Sequence, residues 1–193
     1  MNPELDTPLP AYPGIALADI CLVQDAATAD YAYAQLSAAT ILGFDTETKP
    51  VFNKGQHNDG PHLIQLATEQ RAFLFPVSAG SDVAQVKAIL EAPQILKVGY
   101  GLADDLKYLN SKFAIVTANV LDLSRAMREN KHGDMGAKSA VAKFLGMQMS
   151  KSKKTSTSNW AQRPLTERQM LYAANDAQVA LLTYRRWLAR QAS

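Results

Sequence analysis

Apolar positions along this chain fall into two rhythms, short continuous runs and a three-to-four-residue spacing, which predict strands and helices respectively. Residues 39–45 are a mostly apolar run that turns polar at Asp45, the pattern of a buried strand. Residues 62–67 and 72–75 predict two more strands, joined by a turn around Glu69 and Gln70. Val83, Val86, Ile89 and Leu90 carry the helical spacing; 95–98 is a short apolar strand, and a helix opens at 105–109. A strand at 119–123 follows, with Asp122 as a cap for what comes next. Helices are then expected near 124–129 and 137–145, the second stopped by Gly146. An alanine-rich stretch at 27–39 predicts an earlier helix. Thr166, with Gln169 three residues on, makes a capping-box pattern, so the last helix starts there and runs to about Ala189. Strands come early and alternate with helices later, which argues for an α/β fold: a mixed sheet flanked by helices.

Two segments stand outside this rhythm. Pro3, Pro8, Pro10 and Pro13 make residues 1–14 an extended or disordered arm, leaving 15–193 as a single domain. Residues 150–159 contain no apolar side chain and read as a mobile loop.

Composition mainly excludes. The 193 residues are 47% hydrophobic and 20% charged, ordinary globular usage, and are numerous enough to bury a core without staples. No apolar run approaches the ~20 residues of a membrane span, and the acidic, proline-rich start lacks the features of a secretory signal. Cys21 is the only cysteine, which excludes disulfides within the chain and cysteine-rich zinc sites. A cytoplasmic protein without a membrane role is the expectation.

The net charge of +2 conceals a division. Residues 1–96 carry four basic against eleven acidic residues, and residues 97–193 carry sixteen against seven. The basic half predicts a polyanionic partner. Its densest piece is Lys151-Ser152-Lys153-Lys154, with Arg163 and Arg168 shortly after.

Candidate chemistry lies in three acidic places. Asp45 and Glu47 flank Thr46 at a strand end, and side chains two apart in a strand share a face. Asp104-Asp105 follows Lys97-Val98-Gly99-Tyr100-Gly101, and either aspartate could instead cap the next helix. Tyr172 and Asp176 are four apart, on one helix face. Converging carboxylates repel and need protons, basic partners or divalent metal; oxygen-only ligands favour Mg²⁺ or Mn²⁺. His57, His62 and His132 have no metal-ligand spacing and read as surface or loop residues. Trp160 reads as packing beneath the loop before it reads as a base-stacking platform. Gly99-Tyr100-Gly101 is no dinucleotide loop, since Asp104 stands where the third glycine should be.

Taken in order, Phe44-Asp45-Thr46-Glu47, then Val98 to Leu106, then Tyr172-Ala173-Ala174-Asn175-Asp176 resemble the three exonuclease motifs of the DEDD superfamily. The tyrosine makes the chain similar to the DEDDy branch, that of ribonuclease D and Werner-type exonuclease domains. The stretch from Ser158 through Gln169 into Tyr172 is similar to the one before the third motif there, and the resemblance covers about 35–190. It implies a ribonuclease H-like fold and a 3′–5′ exonuclease releasing nucleoside 5′-monophosphates with two divalent cations, Mg²⁺ or Mn²⁺. By the same resemblance Asp45 bridges both metals, Glu47 and Asp176 complete the site of the nucleophilic water, Asp105 serves the second metal, and Tyr172 orients the water. The family's Gly-x-x-x-Asp spacing from Gly101 selects Asp105 over Asp104. The implied partner is DNA, with RNA as alternative, bearing a 3′ end. Lys151, Lys153, Lys154 and Arg163 are the expected phosphate contacts. Any helicase or polymerase partner is expected to be a separate polypeptide. The competing reading is a nuclease fold that binds nucleic acid without cutting it.

Overall fold

The computed structural model describes residues 8–51, 55, 58–128 and 133–192. The strands are β1 (Ile20–Leu22), β2 (Ile41–Glu47), β3 (Leu63–Ala67), β4 (Ala72–Pro76), β5 (Leu96–Gly99) and β6 (Val120–Asp122). The helices are α1 (Ala26–Ser37), α2 (Ala84–Glu91), α3 (Ala103–Phe113), α4 (Leu123–Ala126), α5 (Ala137–Ala140), α6 (Lys153–Ser156) and α7 (Glu167–Gln191). One sheet runs in the order β1-β4-β3-β2-β5-β6. The β2–β3 and β3–β4 pairs are antiparallel, and β1–β4, β2–β5 and β5–β6 are parallel. This is the mixed sheet that the periodicity predicts. No helix among the described residues is long and apolar enough to cross a membrane.

Strand alternation divides the core. Leu42 and Phe44 of β2, with Ile64, Leu66, Phe73 and Phe75, turn to one face and pack against α1 and α2. Leu63, Ala67, Ala72 and Leu74 turn to the other, against Ala173, Ala174 and Ala177 of α7. Those alanines leave α7 lying very close to the sheet. A Cβ on Gly43 would fall 1.9 Å from the Ala177 carbonyl oxygen, so only glycine admits this contact. α7 begins as the sequence predicts: the Thr166 hydroxyl accepts from the Gln169 amide in a reciprocal capping box.

Several boundaries differ from expectation. β1 has no counterpart in the apolar pattern, because three half-buried edge residues are too few to show a period. The helix expected at 137–145 is α5 continued by a π-helical turn, Val141–Leu145, and Gly146 ends it at φ 65°. The helix near 124–129 is shorter, and residue 129 lies outside the described residues. Residues 150–159 contain α6 instead of plain loop, since Ser152 caps it and Thr155 and Trp160 are buried. Residues 1–7 of the N-terminal arm lie outside the described residues. The remainder is extended and docked: the Tyr12 amide donates to the Gln148 carbonyl at 2.9 Å, and its hydroxyl to Gln178 Oε1 at 2.7 Å.

The Gly43 contact is testable. Gly43→Ala is expected to cost about 3 kcal/mol by overpacking, lowering Tm by about 6–12 °C in thermal unfolding followed by circular dichroism. Gly133→Ala, where an added Cβ meets nothing within 4 Å among the described residues, should leave Tm unchanged.

Candidate active site

β2 extends two residues past its apolar run because Glu47 pairs with Leu63 across the antiparallel ladder. Alternation then sends Asp45 and Glu47 to the α7 face and Thr46 to the opposite one. Asp176 descends from α7, and one carboxylate oxygen from each of Asp45, Glu47 and Asp176 lies within 4.8 Å of the others. Asp105 stands outside that group. It sits in the first turn of α3, where the Thr46 hydroxyl donates to its carboxylate. The turn leading into α3 is fixed by Asp122, whose Oδ1 accepts from the Gly101 amide at 3.0 Å and Oδ2 from that of Leu102 at 3.2 Å. Asp122 also caps α4, accepting from the Ser124 amide at 3.0 Å. Asp104 points to solvent.

Tyr172 lies one turn before Asp176 on α7, its hydroxyl flanked by the side chains of Asp176 and Ser156. Its ring packs against Trp160, centroids 6.0 Å apart, and the Trp160 indole donates to the Ser156 carbonyl at 3.0 Å. Trp160 is therefore core, and α6 is pinned beside the tyrosine. The N-terminal arm fixes the helix from the other side, where the Ile15 amide donates to Asn175 Oδ1 at 2.8 Å.

The four expected phosphate contacts divide three ways. Lys151 turns into the carboxylates: its Nζ is 2.8 Å from Asp176 Oδ1 and 5.8 Å from the centre of the Tyr172 ring. Lys153 and Lys154 are exposed. Arg163 donates to the backbone carbonyls of Trp160, Gln162 and His62 at 2.7–2.9 Å, which ties the segment before α7 to the sheet. These bonds give Arg163 a structural role, while the residue itself stays exposed. His62 keeps the loop half of its reading, in the bend before β3, but departs from the surface half. It is buried, its amide donates to the Glu47 carbonyl at 2.8 Å, and its Nδ1 accepts from the Lys49 amide at 3.2 Å. His57 and His132 lie outside the described residues. The sequence reading missed Thr46, whose signal is a hydroxyl between two predicted ligands, and Ser156, which carries no such signal.

Burial is the largest influence on every acid here. It holds Asp45 well above the carboxylate range, with the charges of Asp176 and Asp105 adding to it. Glu47 is pushed up to about 10, by burial and then by Asp45 and Asp176. Asp105 and Asp176 are raised as well, Lys151 opposing the shift at Asp176. Burial, followed by the Asp176, Glu47 and Asp45 charges, drives the Tyr172 phenol upward too. Such a cluster holds protons or takes cations. Its oxygen-only donors fit hard divalent ions such as Mg²⁺ or Mn²⁺.

Comparison with known proteins agrees with this chemistry. A family model described as a 3′–5′ exonuclease matches residues 20–188. The chain is 32% identical over 155 residues to the bifunctional 3′–5′ exonuclease/ATP-dependent helicase WRN of Mus musculus, covering 79% of this chain and 11% of that protein. It is 30% identical over 130 residues to ribonuclease D of Gluconacetobacter diazotrophicus, covering 66% of this chain and 33% of the relative. It thus spans only a fraction of either protein's length. The EXO domain of Aedes aegypti Nibbler matches with a TM-score of 0.78 at 23% identity, over 92% of this chain and 91% of that one. The likeness is of fold, and the sheet is ribonuclease H-like, as the motifs imply.

The acid cluster makes stability depend on pH. Glu47 titrates near 4.5 unperturbed and near 10 when folded, so the native state binds the extra proton between those values. Stability is then full below about pH 4 and falls as pH climbs toward about 10. In EDTA, Tm is expected to decline between about pH 5 and pH 9, more steeply for Lys151→Met, and added Mn²⁺ should flatten the decline. A Tm independent of pH in EDTA would contradict the coupling.

Proposed function

We propose that this chain, a member of the 3′–5′ exonuclease family, hydrolyses the terminal phosphodiester at a nucleic-acid 3′ end and releases nucleoside 5′-monophosphates. The observation that carries the reading is the convergence of Asp45, Glu47 and Asp176 in an all-oxygen cluster, Asp176 buried and the other two half-buried. Asp105, tied to Thr46 beside it, is the fourth carboxylate. Together these residues would hold two divalent cations, Mg²⁺ or Mn²⁺. Bound there, the ions supply Lewis-acid stabilisation of the attacking and leaving oxygens.

The remaining work falls to the chain. Tyr172, its phenol raised above an ordinary ~10, stays protonated at neutral pH, so it orients the attacking water by hydrogen bonding and is no base. Lys151 places positive charge between Asp176 and the Tyr172 ring, offsetting carboxylate charge where a phosphate must approach. Lys153 and Lys154, exposed on the neighbouring α6, contact the phosphates of the substrate strand. DNA is proposed as the substrate first, because the match to the exonuclease/helicase covers the larger share of this chain. RNA is the alternative, supported by the ribonuclease D relative.

The test uses 5′-labelled single-stranded DNA, recessed-end duplex and RNA of matching sequence, each with Mg²⁺, Mn²⁺ or EDTA. A metal-dependent ladder shortening from the 3′ end is expected. Asp45→Ala and Asp176→Ala should each lower the rate on the order of 10²-fold or more. Tyr172→Phe, losing one hydrogen bond of about 1–1.5 kcal/mol, should lower kcat about tenfold. Binding without cleavage on every substrate would replace the enzyme with a non-catalytic nucleic-acid-binding module.

Phosphate contact at α6 has its own readout. Lys153→Ala with Lys154→Ala should reduce the log–log salt slope of single-strand binding by about 1.4, the release of two counterions. An unchanged slope removes both lysines from the interface.

A further inference from the structure

Beside the carboxylates, on the α7 face of the sheet, lies a polar side chain with no assigned work. Gln65 in β3 stands directly opposite Asp45 in the antiparallel register, with Leu74 opposite it on the other side. Residues so opposed share a face, with Cβ atoms about 4.5–5.5 Å apart. Leu63 and Ala67, its neighbours on that face of β3, pack beneath Ala173, Ala174 and Ala177 of α7. Gln65 is 0% exposed, and neither its Nε2 nor its Oε1 has a hydrogen-bond partner among the described residues.

A buried amide without partners forfeits its hydration, whereas a methionine or leucine would fill the same space at no such cost. Packing therefore does not account for a glutamine here. Other amides near α7 are engaged elsewhere: Gln178 spans Tyr12 and the Glu69 carbonyl, and Gln169 serves the capping box. The polar group that the register sets against Gln65 is the Asp45 carboxylate. That carboxylate already takes one fixed bond, from the Thr46 amide to Oδ1 at 2.9 Å.

We propose that Gln65 is a positioning residue for Asp45: its amide, not engaged by any other described group, would turn onto the carboxylate and give it a second hydrogen bond when Asp45 serves as a metal ligand. A carboxylate ligand held from two sides cannot swing off the ion, and groups in this outer position govern metal affinity as well as turnover. The inference rests on reading Asp45 as a metal ligand.

The experiment titrates Mn²⁺ calorimetrically into the full chain, with Asp45→Asn as control, and compares Gln65→Met and Gln65→Asn. Gln65→Met is expected to keep or raise Tm, because it replaces an unpartnered amide by an apolar chain of similar size. It should nevertheless bind Mn²⁺ 10–100-fold more weakly and lower kcat with KM unchanged. Wild-type Mn²⁺ affinity and kcat in a folded Gln65→Met would overturn the proposal and leave the glutamine a structural residue. If Gln65→Met does not fold, Gln65→Asn decides: weakened Mn²⁺ binding supports the proposal, and wild-type binding overturns it. Failure of the wild type itself to bind Mn²⁺ would instead overturn the reading of the carboxylates as a metal site, and this inference with it.

Discussion

The close seating of α7 on β2 is the contact on which the rest depends. Gly43 and the alanines at 173, 174 and 177 let a helix backbone approach a strand backbone without intervening side chains. Only at that separation does a short aspartate on the helix reach two carboxylates on the strand. A bulkier seam would lift Asp176 away from the Asp45–Glu47 pair. Two tethers on this helix serve the same constraint. The capping box sets its start, and the docked arm holds Asn175, next in sequence to the aspartate.

Sheet topology decides which end of the molecule carries the chemistry. β2 and β5 are parallel, pairing from Ile41↔Leu96 to Gly43↔Val98, so both strands run out toward the same edge. β2 continues to Asp45 and Glu47 there, and β5 hands over to the turn from which α3 presents Asp105. Charge then concentrates in a place where burial already disfavours it. That tension is what suits the cluster to cations: burial and mutual repulsion raise Asp45 and Glu47, and protons, Lys151 or divalent ions can each relieve it.

Much of this was legible without coordinates, and the residues that were not share a reason. Periodicity finds β2 to β6 and the long α7 because each has enough apolar positions to show a rhythm, and β1, with three edge residues, does not. Asp45, Glu47, Tyr172 and Asp176 were readable because spacing within a single element puts them on one face. The apolar run alone stops at Asp45, and ladder pairing with β3, a long-range fact, carries β2 on to Glu47 through polar residues. Lys151, Lys153, Lys154 and Arg163 looked alike in sequence, where charge is additive. Geometry separates them, since one side chain meets Asp176, two face solvent and one binds carbonyls.

Gln65 shows the same limit from the other side. In the run His62-Leu63-Ile64-Gln65-Leu66-Ala67 it reads as one polar residue tolerated in a strand. Nothing local distinguishes a glutamine facing solvent from one facing a carboxylate. Two long-range facts are needed: the register that sets it against Asp45, and the helix that covers it completely. Once both are present the side chain becomes conspicuous, because full burial turns an unpaired amide from a neutral choice into a costly one. Spacing can thus reveal groups that bind a ligand directly, but groups that orient them emerge only once the chain has closed over the site.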